Sequence, residues 1–150
     1  MTHEAYMSRA LTLAETALKT GDVPVGCVVV APDGTVIGEG CNRREADGDA
    51  TAHAEVEALR AACKTLGTWR LTGCSLYVTL EPCPMCAGAI VNARISKVFY
   101  GAKDDKAGCC GSVLNLFEER FNHKPAIVGG ILKEDCAQLL QRFFLTLRTP

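Results

Sequence analysis

Two short motifs, each at the start of a predicted helix, constrain the fold more than any other part of the chain. Cys83 and Cys86 are three residues apart, so they project from one helical face, and Pro84 fits the first turn of that helix. His53 and Glu55 stand at the start of another helix-forming segment further upstream. Three such ligands are the number that a catalytic zinc site uses, with the fourth position left to water. The chain must therefore bring two helix starts together.

The same residues suit the activation of water. At a helix N-terminus the macrodipole and the free N–H groups favour the thiolate form of Cys83 and Cys86, which is the form that binds metal. His53 and Glu55 are two positions apart, about 200° around a regular helix. They cannot point the same way in the middle of a helix, but in a first turn that ends at the metal one can bind it while the other reaches its water. Zinc brings the pKa of a bound water to about 7, and Glu55 would accept the proton and pass it to a leaving group.

Each motif on its own has a plainer interpretation. A single histidine such as His53 is often a hydrogen-bonded core residue, and one Cys-x-x-Cys pair is also half of a structural zinc site or a redox pair. The sequence has no second ligand pair that would complete a four-ligand structural site. Together the motifs favour a catalytic centre. The non-enzyme alternative is a zinc-stabilised binding module in which Glu55 is a surface helix residue.

Charge and composition limit the class of protein. The 150 residues are 48% apolar and carry a net charge of −1, so there is no strong positive field and any nucleic-acid contact must come from a local basic patch. The N-terminus resembles no signal peptide and no apolar run is long enough to span a membrane, so we expect a cytoplasmic protein. Nine cysteines, an odd number, argue against a disulfide scaffold. We expect no metal at the adjacent Cys109 and Cys110.

Hydrophobic periodicity and turn residues predict alternating helices and strands. The predicted helices are Thr2–Thr20, one capped by Thr51 and ended by Gly67, one beginning near Cys83, a short one from Ser112 to Glu119, and Lys133–Arg148. The predicted strands are 27–30 and 35–40 as a hairpin, Ser75–Leu80, Lys97–Ala102 and 125–130, with a loop at 41–52. This order indicates the α/β class, with a mixed five-stranded sheet covered by helices on both faces.

The two motifs also carry a family resemblance. His53-Ala54-Glu55 and Pro82–Cys86 match H-x-E and P-C-x-x-C, the signature of the zinc-dependent nucleobase deaminases. Further segments resemble the bacterial tRNA-specific adenosine deaminases, from the first helix to nearly the last residue. They are DVPVG at 22–26, GEGCNR at 38–43, TAHAE at 51–55, LYVTLEPC at 76–83, GAKD at 101–104, GS at 111–112, NH at 122–123 and FF at 143–144.

This resemblance implies a three-layer α/β/α cytidine-deaminase-like fold, one deaminase domain over residues 1–150, and a homodimer with one Zn²⁺ per subunit. It implies hydrolytic conversion of adenosine to inosine at the wobble position of a tRNA anticodon. Carried over by position, His53, Cys83 and Cys86 bind zinc. Glu55 takes a proton from the water and protonates the purine ring nitrogen before ammonia leaves.

The resemblance also assigns substrate contacts. Asn42 matches an asparagine that contacts the flipped purine. Hydroxide attacks C6 of that purine, and the backbone N–H of Ala54 donates to this attacked position. Residues that match contacts to the anticodon stem-loop are Asp104, Lys106, Asn122, His123 and Phe144. Of the adjacent Phe143 and Phe144, we expect one to be buried and the other to face RNA. No DNA or membrane partner is expected.

One enzyme alternative shares the metal motif. A guanine or cytosine deaminase acting on free bases would use the same zinc centre, but it fits the segments 101–112 and 122–123 poorly. The sequence also departs from the resemblance at its end. Many members of that family continue with a longer basic helix, whereas this sequence stops at Pro150. We therefore expect weaker and less salt-sensitive tRNA binding.

Overall fold

Five strands form one mixed sheet in the computed structural model, which describes residues 1–148. The strands are β1 Gly26–Val30, β2 Val36–Cys41, β3 Ser75–Leu80, β4 Lys97–Ala102 and β5 Ala126–Val128. Their order across the sheet is β2-β1-β3-β4-β5. The pairs β1/β2 and β1/β3 are antiparallel, whereas β3/β4 and β4/β5 are parallel. The prediction of a mixed five-stranded sheet is confirmed.

Helices cover both faces of this sheet. They are α1 His3–Ala17, α2 Arg44–Asp47, α3 Ala54–Leu66, α4 Pro84–Asn92 and α5 Lys133–Arg148, and short 3₁₀ turns occupy Leu18–Thr20 and Leu116–Glu118. Helices α1 and α5 pack on one face, and α3 and α4 pack on the other. The three-layer α/β/α architecture is therefore as expected. No helix among residues 1–148 is long and apolar enough to cross a membrane.

The central strands alternate between the two layers. Cys27 and Val29 of β1 contact the α3/α4 layer, and Val28 and Val30 contact the α1/α5 layer. All five residues of β1 are buried, because successive side chains of a strand point to opposite faces and both faces are covered by helices. Each fully buried valine contributes roughly 1.5–3 kcal/mol through removal of apolar surface from water.

Two glycines let α3 lie directly on β2. A Cβ atom at Gly38 would come within 2.3 Å of the carbonyl oxygen of Ala58, and one at Gly40 within 2.6 Å of the carbonyl oxygen of Ala54. A larger residue at either position would push the helix away from the sheet. The glycines of β2 therefore set the depth at which the first turns of α3 lie.

Three local predictions are wrong, two of them because a side chain has another partner. Thr51 does not cap a helix, since its N–H and hydroxyl both donate to Asp49, and α3 begins with His53 as its N-cap. Ser112 does not cap a helix either, because it donates to Glu81; the 3₁₀ turn that follows is capped by Asn115. The segment predicted as a loop at 41–52 contains the short helix α2.

Candidate metal centre and catalytic pocket

Three potential metal ligands converge where α3 and α4 begin. His53 is the N-cap of α3 and Cys83 is the N-cap of α4, and Cys86 lies in the first turn of α4. His53 Nδ1 lies 3.6 Å from Cys83 Sγ and 3.5 Å from Cys86 Sγ. A tetrahedral zinc with bonds of about 2.3 Å to sulfur and about 2.0 Å to nitrogen holds those atoms about 3.5 Å apart. The donor set and its spacing therefore fit zinc.

The electrostatics of the cysteine pair suit metal binding. The hydrogen bond from the Cys86 thiol, together with the contact with His53, lowers the pKa of Cys83 to about 4. The pKa of Cys86 is raised, because that thiol donates to Cys83 and is itself buried. The surroundings therefore favour the thiolate form of Cys83, and metal coordination favours loss of the Cys86 proton as well. Two helix N-termini also direct their positive ends at this site.

Glu55 lies beside these ligands and is almost completely buried, with 4% of its surface exposed. Burial raises the pKa of its carboxyl group to about 7, and the side chain contacts the Cys86 thiol. Because His53 is the extended N-cap residue and Glu55 is in the first turn of α3, both side chains reach the same site. The geometry places a protonatable carboxyl group at the metal centre.

A cavity of about 210 Å³ opens above the metal ligands. Asn42, Ala54 and Glu55 line it together with His53 and Cys83, so the structure brings most of the sequence-predicted site residues into one pocket. Asn42 is 93% buried, and its side-chain oxygen accepts a hydrogen bond from the Arg44 N–H. Its position is therefore fixed before any ligand arrives.

A second groove of about 460 Å³ adjoins the catalytic cavity and shares Asp104 with it. Lys106 and Phe144 line this groove, so three of the predicted substrate contacts lie beside the pocket. The prediction that one of the two adjacent phenylalanines is buried is wrong. Phe143 is only partly buried and Phe144 is 44% exposed, with their rings edge to face at 5.3 Å.

Asn122 and His123 lie away from this pocket. His123 Nε2 is 2.6 Å from the backbone oxygen of Ile95, which precedes β4, whereas Asp104 follows the other end of that strand. Six residues of strand separate the two ends by about 20 Å. The structure therefore does not bring Asn122 and His123 together with the other predicted substrate contacts.

Two buried carboxylates that hold the pocket walls were missed from the sequence. Asp22 accepts hydrogen bonds from the N–H groups of Glu45 and Ala46, at 2.7 and 3.2 Å, and so fixes α2 next to Asn42. Glu81 accepts hydrogen bonds from the loop that carries Asp104. Burial by itself raises the pKa of Glu81, but its hydrogen bonds hold that pKa below the ordinary value of 4.5. For Glu81 the available signal was an acidic residue directly after an apolar strand, whereas Asp22 lies before β1 and carries no such signal.

The fold and this site define a zinc-dependent deaminase. Residues 1–102 match the family described as the cytidine and deoxycytidylate deaminase zinc-binding region, and the chain belongs to that family. The match includes both motifs that supply the metal ligands.

Individual relatives show which deaminases within this family the chain is similar to. The chain is 51% identical over 146 residues to the tRNA-specific adenosine deaminase of Bacillus subtilis, covering 97% of this chain and 90% of that protein. A structure from a study of A-to-I editing by tRNA:A34 deaminases at the wobble position of transfer RNA superposes with a TM-score of 0.87 at 43% identity, covering 91% of this chain and 99% of the other. A guanine deaminase from Bacillus subtilis gives a TM-score of 0.66 at 37% identity, covering 100% of this chain and 96% of that one.

Proposed function

We propose that this protein is a tRNA adenosine deaminase, which converts adenosine to inosine at the wobble position of an anticodon. The observation that carries the proposal is the 51% identity to a tRNA-specific adenosine deaminase over nearly the whole of both chains. His53, Cys83, Glu55 and Asn42 line one cavity, and Cys86 lies next to His53. The overall reaction consumes one water and releases one ammonia.

His53, Cys83 and Cys86 would hold zinc, which supplies a water with a pKa of about 7. Glu55 would take a proton from the attacking water and deliver it to the purine ring nitrogen. The water oxygen would bond to the purine C6, the bond from C6 to the amino nitrogen would break, and Glu55 would help that nitrogen leave as ammonia. Burial raises the pKa of the Glu55 carboxyl group to about 7, so near neutral pH this group can both accept and donate a proton. Because a buried carboxylate is also shielded from bulk solvent, the proton stays within the site.

The pocket walls orient the base. Asn42 is a fixed amide that can both donate to and accept from a purine edge. Ala54 is the first residue of α3, where backbone N–H groups have no partner within the helix, so its N–H is free to donate to the attacked position. Both contacts are proposals that rest on their place in the cavity and on the family resemblance.

An anticodon loop suits this surface. Its tip is single-stranded, so a base can be splayed into a pocket at little cost. The groove beside the cavity offers Lys103 and Lys106 for phosphates and the exposed ring of Phe144 for stacking. With a net charge of −1, the chain has to rely on such a local patch. Asn122 and His123 would contact the RNA only if the bound RNA extends from the pocket to the opposite end of β4.

Two further parts of the proposal concern the cellular context. We infer a homodimer from the family resemblance, and a cytoplasmic location from the similarity to a tRNA-specific adenosine deaminase. Sedimentation of the purified protein tests the first. A sedimentation profile that fits a monomer at micromolar concentration contradicts it.

The decisive experiment compares substrates side by side. The purified protein, loaded with zinc, is incubated with an anticodon stem-loop RNA, with guanine and with cytosine, and inosine and ammonia are measured. We expect inosine at the wobble position and no ammonia from the free bases. Turnover of guanine or cytosine with unreacted RNA would overturn the proposal and favour the free-base deaminase. An absence of turnover with all three at full zinc occupancy would favour the binding module.

A further inference from the structure

Glu81 occupies the connection between the end of β3 and the metal ligand Cys83, and only 2% of its surface is exposed. Its carboxylate accepts hydrogen bonds from the N–H groups of Asp104, Cys110 and Ser112, at 3.1, 2.9 and 3.1 Å, and another from the Ser112 hydroxyl. Each carboxylate oxygen receives two of the four. All four partners belong to one loop, 103–112, which follows β4.

A carboxylate suits this position because three of the four groups that face it are backbone N–H donors, which cannot accept. An ionised Glu accepts at both oxygens, whereas Gln presents one oxygen and an NH₂ group. A Gln at position 81, turned either way, would place its NH₂ group against at least one of these N–H donors and leave that donor without an acceptor in a buried place. Gly108 of the same loop packs so closely that a Cβ atom there would lie 2.3 Å from the Glu81 carboxyl carbon. The carboxylate and the loop therefore fit as one unit.

The loop that Glu81 holds faces the substrate. Asp104 and Ala107 line the catalytic cavity, and Lys106 lines the adjoining groove. Asp104 in turn holds the residues that follow it, since its side chain accepts hydrogen bonds from the N–H groups of Lys106 and Ala107. A second tie joins the two segments, because the Cys109 N–H donates to the backbone oxygen of Pro82.

We propose that Glu81 is a positioning residue for substrate binding, which fixes the loop 103–112 at the rim of the pocket and leaves the chemistry to the metal ligands and Glu55. The choice of RNA as the substrate rests on the proposed function. Glu81 also borders the catalytic cavity, but both of its carboxylate oxygens are occupied by the four hydrogen bonds from the loop 103–112, so Glu81 acts through that loop. Its loss therefore raises KM, whereas kcat and zinc content stay close to those of the wild type.

The test is Glu81→Gln, measured by zinc content, by KM and kcat with the anticodon stem-loop, and by amide hydrogen exchange. We expect KM to rise about tenfold or more, since hydrogen bonds to a charged group are lost, with kcat changed less than about threefold. Exchange should quicken at Asp104, Cys110 and Ser112. Ser112→Ala removes only part of the network and should raise KM about threefold. It serves as the second test if Glu81→Gln does not fold.

Ser96→Ala is the matched control. It removes the hydroxyl oxygen that accepts a hydrogen bond from the Gly73 N–H at the other end of the sheet, and it should leave KM unchanged. An unchanged KM and unchanged amide exchange in both test variants would overturn the proposal. A loss of activity in Glu81→Gln that is explained by a loss of zinc would also overturn the proposal. If the wild type deaminates a free base and not RNA, the proposed function fails, but a KM shift for that base in Glu81→Gln still supports the role of Glu81.

Discussion

Gly40→Ala should displace the catalytic helix without touching the substrate. The added Cβ would lie 2.6 Å from the Ala54 oxygen and 2.7 Å from both the Ala58 nitrogen and the Glu57 Cβ. Ordinary contacts begin at 3.4 Å, so the first turn of α3 has to retreat by about 0.8 Å. Most of the neighbours are backbone atoms, which cannot rotate away as a flexible side chain can.

The displaced turn positions a candidate metal ligand and the proposed proton carrier. It begins after the ligand His53 and includes Glu55, so the shift separates both from α4, which holds Cys86. Forcing an extra methyl group into a packed interface costs about 1–3 kcal/mol of unfolding free energy. A misplacement of about 1 Å at a reacting group costs roughly 100-fold in rate. We therefore expect a modest loss of stability and a much larger loss of kcat.

The assay is urea unfolding, zinc content and kcat with the anticodon stem-loop. Gly88→Ala is the matched control, because a Cβ atom at this helical glycine meets nothing within 4 Å. That variant should gain about 0.5–1 kcal/mol of stability, since Gly is a poor residue in a helix interior, and it should keep its activity. Wild-type kcat in Gly40→Ala, at either unchanged or reduced stability, would refute the claim that β2 sets the position of the catalytic turn.

The other predictions concern single side chains. Glu55→Ala should keep zinc and the fold but lose about 10²-fold to 10⁴-fold in kcat; retained activity would contradict its role in proton transfer. Cys83→Ser should lose zinc, measured by metal analysis after dialysis, and full occupancy would place the ligand elsewhere. Asp22→Asn should cost about 1–3 kcal/mol in urea unfolding at pH 7, because Asp22 accepts three hydrogen bonds in a buried place. Although burial raises the pKa of Asp22, its hydrogen bonds and Arg43 lower the folded value below the ordinary 3.8. Its contribution is therefore present above pH 3.8 and is lost as the pH falls through the folded pKa, so the difference from the variant should shrink there; a constant difference down to pH 2 would contradict this.

Elements governed by local pattern were predictable. The bounds of β3, β4 and α5 agree with the sequence prediction, because buried apolar runs and a regular helical period are local signals. The start of α3 was not, since Thr51 is a good N-cap by type but its hydrogen-bonding groups are taken by Asp49. Ser112 was misassigned for the same kind of reason, with a partner 31 positions away. Capping preferences describe what a residue can bind, and the fold decides which partner is within reach.

The sequence by itself indicated the candidate metal ligands and the proposed proton carrier, because the chemistry of two thiols, an imidazole and a carboxylate depends on residue type and spacing. Only the tertiary structure decided how they are supported. It placed His53 and Cys83 at the two helix N-caps, and it enclosed Asn42 and Asp104 in walls held by the buried carboxylates Asp22 and Glu81. It also separated His123 from the pocket by the length of β4. These relations join residues far apart in the chain, and such contacts leave no periodic trace in a single sequence.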